Sequence, residues 1–86
     1  MYSKMCRNIQ NVVSDTLDDL NWQGMFRETY STHPDNENCI RVRLDIHVGE
    51  HYMVFEVLDD VVSVMEIKNI RKRDYTRFLD CLVENL

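Results

Sequence analysis

Residues 40–48 alternate aliphatic and polar side chains without a break, Ile-Arg-Val-Arg-Leu-Asp-Ile-His-Val. Successive side chains of a strand point to opposite faces, so the run predicts a β-strand. Ile40, Val42, Leu44, Ile46 and Val48 enter a core, and Arg41, Arg43, Asp45 and His47 face water. Two further strand-length runs follow, residues 51–58 and 61–68, separated by Gly49-Glu50 and by Asp59-Asp60. Such short polar connections predict antiparallel hairpins, so these three strands form a meander.

The two ends of the chain follow the helical period instead. Tyr2, Met5, Cys6, Ile9, Val12, Val13, Leu17 and Leu20 recur at steps of three and four, which keeps them on one stripe of a helix that covers a sheet. Its polar side carries Lys4, Arg7, Asn8, Asn11, Asp15, Asp18 and Asp19. Asn21-Trp22-Gln23-Gly24 ends it, because glycine accepts the left-handed backbone common at helix ends. Residues 25–31 read as a weak strand, with Phe26 and Tyr30 on one face and Glu28 between them, and belong at a sheet edge. Residues 32–38, Thr-His-Pro-Asp-Asn-Glu-Asn, read as a loop with a mobile tip. Residues 71–86 return to helical spacing through Tyr75, Phe78, Leu79, Leu82, Val83 and Leu86. The predicted fold is α+β with the order α-β-β-β-β-α: a two-layer sandwich with a four-stranded, mainly antiparallel sheet and the N- and C-terminal helices on one face, residues 1–86 forming a single domain.

Strands three and four break the alternation of the first long run. Tyr52-Met53-Val54-Phe55 and Val61-Val62-Ser63-Val64-Met65 are apolar at consecutive positions, and two helices cover only one face of a sheet. With Met53, Phe55 and Val57 toward the helices, Tyr52, Val54 and Leu58 are left outside, joined by either Val61, Met65 and Ile67 or Val62 and Val64. A contiguous apolar patch on a small protein marks an interface, so Tyr52, Val54, Leu58, Val62 and Val64 are the expected partner or dimer surface. The outer face should run from charged at the first long strand to apolar beyond it, and strand four is an edge open to pairing.

Charge alters this picture at both ends of the sheet. Fifteen acidic and ten basic residues give a net charge of −5, which disfavours nonspecific binding to nucleic acid or anionic membranes. The basic residues nonetheless cluster: Lys68, Arg71, Lys72, Arg73 and Arg77, with Tyr75 among them, are a candidate phosphate-binding patch at a helix start. Reversing direction along each element places the acidic end of the first helix near this cluster, where surface ion pairs are expected. The same count gathers Asp35, Glu37, Asp59, Asp60 and Glu84 at the opposite end, which should be acidic.

Composition narrows the classes further. With 44% hydrophobic and 29% charged residues, two glycines and one proline, the 86-residue chain is an ordered domain with one small core. No run approaches the roughly 20 apolar residues of a membrane span, and charged and polar residues break up the N-terminal segment where a signal peptide needs an uninterrupted apolar run, so a cytoplasmic protein is expected. Three cysteines, Cys6, Cys39 and Cys81, fit neither a disulfide framework nor a zinc module. His33, His47 and His51 lack paired-ligand spacing, and there is no glycine-rich phosphate loop or nucleophile elbow. No enzymatic activity, metal or cofactor is expected. The order of elements occurs among small adaptors, chaperones and viral inhibitors, and architecture alone carries no function. The expected function is a non-enzymatic, homodimeric protein-interaction domain, an adaptor or inhibitor whose acidic end could mimic nucleic acid toward a nucleic-acid enzyme. The alternative is nucleic-acid binding by the basic start of the second helix.

Overall fold

A computed structural model of the chain describes residues 4–47 and 49–86, with side chains for residues 7–47 and 49–86. The order is α1 (Lys4–Asp19), β1 (Arg27–His33), β2 (Asn36–Ile46), β3 (His51–Leu58), β4 (Val61–Lys68) and α2 (Lys72–Asn85). The strands form one antiparallel sheet in the order β1-β2-β3-β4, so each pairs with its neighbour in sequence. This is the predicted α+β arrangement. The expectations for Tyr2, Met5, Cys6 and Val48 lie outside the described residues or side chains.

Register sorts the side chains. Ile40 pairs with Val57, Val42 with Phe55 and Leu44 with Met53, and all six are buried. α1 lies over β1 and β2, while α2 reaches β3 through Phe78, whose ring is 5.9 Å from that of Phe55. Ile9, Val13, Leu17 and Leu20 of α1 and its exit, with Phe78 and Leu82 of α2, complete the core above these strands. Complete burial of side chains this size contributes about 1.5–3 kcal/mol each.

The segment expected as a loop is mostly strand. Only Pro34 and Asp35 separate β1 from β2, and His33 pairs with Asn36. The register slips between Thr32 and His33, leaving extra residues on the β2 side. Asn36 accounts for the slip, because its Oδ1 accepts the Asn38 amide at 3.0 Å and bends the chain locally. The turn-forming residues therefore build a bulged hairpin.

The helices run antiparallel. Thr16 and Asp19 of α1 meet Asn85, whose Nδ2 donates to Thr16 Oγ1 and Asp19 Oδ2, each at 3.1 Å. Further on, Trp22 stacks on Phe78 at 6.4 Å between ring centroids. This crossing sets the end of α1 against the second half of α2, with Arg71, Lys72 and Arg73 out beyond Trp22. The expected ion pairs between the two charge clusters are therefore not formed. Among the described residues the ion pairs are Arg41–Glu56 and Arg43–Asp45.

Candidate functional site

On the outer face, away from the helices, the register sets out three rows across the sheet. They are Ser31, Arg41, Glu56 and Ser63; then Thr29, Arg43, Val54 and Glu66; then Arg27, Asp45, Tyr52 and Lys68. Val54 is the single aliphatic side chain in them. The other positions are polar, and those at the centre of the sheet are tied together. Arg41 donates through Nε and Nη2 to Glu56 Oε2 at 3.0 and 2.7 Å. Arg43 gives its Nε–H to both Asp45 oxygens at 3.0 Å and lays its guanidinium 4.1 Å from the Tyr52 ring centre. The Tyr52 hydroxyl donates to Glu66. Asp45, expected in water, is only 6% exposed, because Arg43 and Tyr52 cover it.

The expected interface residues consequently separate. Tyr52, Val54 and Leu58 share the outer side of β3, half-buried. Val62 pairs with Val57 and Val64 with Phe55, which puts both on the helix side. The expected gradient from charged to apolar is corrected accordingly: the outer face stays polar through Glu66 and Lys68, and its apolar part is Val54 with the corner at Leu58 and Val61. The bulge between Val54 and Phe55, with Met65 as the extra residue of β4, causes the switch.

The apolar excess of β4 instead emerges at the flank beside α2. At 100° per residue, Cys81 and Asn85 face α1, Phe78 and Leu82 face the sheet, and Leu79 and Val83 turn to the side away from α1. Among the described residues no further helix covers that side. Val64 is 43%, Met65 53% and Val83 56% exposed.

Asp35, Glu37, Asp59, Asp60 and Glu84 are all exposed, and the meander brings the β1–β2 turn, the β3–β4 turn and the end of α2 to one end of the molecule. Lys68, Arg71, Lys72, Arg73 and Arg77 are exposed too, but they do not form one patch. Lys68 belongs to the outer face, with Nζ 3.5 Å from the Gly49 carbonyl, and Arg77 lies beside Cys81. Arg71, Lys72 and Arg73 remain together at the start of α2.

Cys39 and Cys81 are free thiols. Burial, then the negative charge of Glu56, raises the Cys39 thiol above its ordinary value; burial, then Asp19 and Glu84, raises Cys81. Both stay protonated at neutral pH, which removes the nucleophilic thiolate. The described residues hold no group of three His, Cys, Asp or Glu side chains placed to bind a metal.

One feature was invisible in the sequence. A cleft of about 370 Å³ opens at the end of the molecule opposite the acidic turns, walled by Trp22, Met25 and Phe26 from the α1–β1 connection, by Ile46, His51 and Met53 from β2 and β3, and by residues 69–71, 74 and 75 at the β4–α2 junction. Its residues come from segments far apart in the chain. The available signal was Trp22, Met25 and Phe26, large apolar side chains just outside regular elements. No protein-family model, curated protein or solved structure matches this chain.

Proposed function

We propose that this chain is a non-enzymatic protein-interaction domain of adaptor or inhibitor type that docks through the flank between β4 and α2. The supporting observation is the exposure of three apolar side chains, Val64 and Met65 of β4 and Val83 of α2, with β4 an edge that no further strand covers among the described residues. The bulge at Met65 and the charges of Glu66 and Lys68 blunt the edge against backbone pairing, so recognition runs through side chains. A second copy is the first partner to test, since a two-fold interface buries the same flank twice. The acidic end offers a separate surface to a basic partner, the geometry a nucleic-acid mimic would use. The free thiols suit a reducing, cytoplasmic setting, and among the described residues no helix is long and apolar enough to cross a membrane.

Sedimentation equilibrium tests the reading. The wild type should dimerise at micromolar concentration, Val64→Glu should shift it to monomer, and Val54→Glu on the outer face should leave the dimer intact. A wild type that stays monomeric at high micromolar concentration rules out the self-association.

A second reading has one observation in its favour. Arg71, Lys72 and Arg73, expected to be neutralised by α1, have no ion-pair partner among the described residues. Duplex binding that weakens steeply with salt and is abolished in a triple Arg71→Glu, Lys72→Glu, Arg73→Glu variant would favour nucleic-acid binding.

A further inference from the structure

The cleft combines an apolar interior with two unpaired charges of opposite sign. Trp22, Phe26, Ile46, Met53 and Ile70 supply its apolar lining. Trp22 is held by stacking on Phe78 and by a tilted contact with Phe26 at 5.8 Å. The far wall is equally fixed: the His51 Nδ1–H donates to the Asn69 carbonyl at 2.9 Å, and Asn69 Nδ2 donates to the Glu50 carbonyl at 2.8 Å. A volume near 370 Å³ lies at the lower end of the range for small-ligand sites.

At the mouth stand Arg71, exposed, and Asp74, half-buried. They are three residues apart at the first turn of α2, and neither has an ion-pair partner among the described residues, not even the other. A ligand carrying only a carboxylate would satisfy Arg71 and be opposed by Asp74; an amine would reverse the conflict. A ligand with both charges on one carbon and an apolar body beyond satisfies the whole site. Tyr75 and His51, the other titratable groups lining it, are compatible with either charge.

We infer that the cleft is a binding site for a zwitterionic α-amino acid with an aromatic or large aliphatic side chain, its carboxylate on Arg71, its ammonium on Asp74 and its side chain against Trp22 and Phe26. The occupant is the free amino acid, because the complement needs both backbone charges on the same residue, which a residue inside a peptide lacks.

Trp22 is the one tryptophan of the chain, so its emission, excited where phenylalanine does not absorb, reports the cleft directly. L-Phenylalanine should change it saturably. 3-Phenylpropanoate, without the ammonium, and 2-phenylethylamine, without the carboxylate, should each bind about ten-fold more weakly, the cost of one charge-assisted contact. Arg71→Gln should lose the preference for phenylalanine over phenylethylamine, and Asp74→Asn the preference over phenylpropanoate, with circular dichroism showing both variants folded. Arg7→Gln, at the opposite end, should behave as wild type. The inference is overturned if phenylalanine gives no saturable change, if the singly charged analogues bind as tightly, or if either variant keeps its discrimination. Binding of a phenylalanine-containing peptide but not the free amino acid would also overturn it, and would assign the cleft to a protein partner.

Discussion

Asp45 and Glu56 are both carboxylates of the outer face paired with an arginine, yet their surroundings differ. The Asp45 side chain is 6% exposed, with both oxygens on Arg43 Nε, and Glu56 is 14% exposed, with one oxygen on Arg41; the two arginines, Arg43 and Arg41, are 39% and 42% exposed. Removing a buried acceptor of a charged donor costs up to about 1–3 kcal/mol, while a solvent-screened pair contributes roughly 0–1 kcal/mol. Asp45→Ala should therefore lower the urea midpoint more than Glu56→Ala. Equal losses would show that Arg43 and Tyr52 do not shield Asp45. Alternation alone could not reveal this burial: it gives the face of a side chain, not what a neighbouring arginine and tyrosine lay over it.

At the scale of elements, the β3–β4 connection carries a specific strain. Asp59 and Asp60 have φ of 51° and 62°, the left-handed backbone of a two-residue hairpin turn. A residue with a Cβ is disfavoured there by about 1 kcal/mol, and aspartate by less. Asp60→Gly should raise stability by about 0.5 kcal/mol, read as a higher urea midpoint, and no gain would mean the aspartate makes a compensating contact. This turn and Gly49-Glu50 made β3 and β4 legible to the residue, since an apolar run bounded by polar pairs has few other readings. β1 and β2 were less legible. Asn36 and Asn38 carry turn chemistry that a bulge uses as readily as a loop, and the strands run on to His33 and from Asn36. The faces of β4 were illegible because one extra residue inverts every side chain after it, and Met65 is that residue. The cleft depends on two connections meeting the ends of β2 and β3, which no local pattern encodes.

For the whole molecule, three acidic protons point the same way. Cys39 and Cys81 are raised above 9.0, and Tyr52 is raised above 10.0, chiefly by its hydrogen bond to Glu66. The unfolded chain therefore loses these protons first as pH rises, and deprotonation favours unfolding. Stability should hold from neutral pH to about the ordinary thiol value and then fall through the raised folded values. Urea midpoints across that range should show the fall, and a Cys39→Ala, Cys81→Ala variant should show a shallower one. An unchanged slope would assign alkaline unfolding to other groups. A radius of gyration of 12.1 Å is ordinary compactness for a domain of this length.

The strand order also governs how the chain finds this shape. Because β1, β2, β3 and β4 pair in sequence, each hairpin closes a loop of only a few residues, a small entropic cost that can be met early. The contact of Thr16 with Asn85 spans nearly the whole chain. Assembly is thus expected to zip through the sheet first and to seat the two helices against each other last, leaving the α1–α2 seam as the joint whose opening begins unfolding.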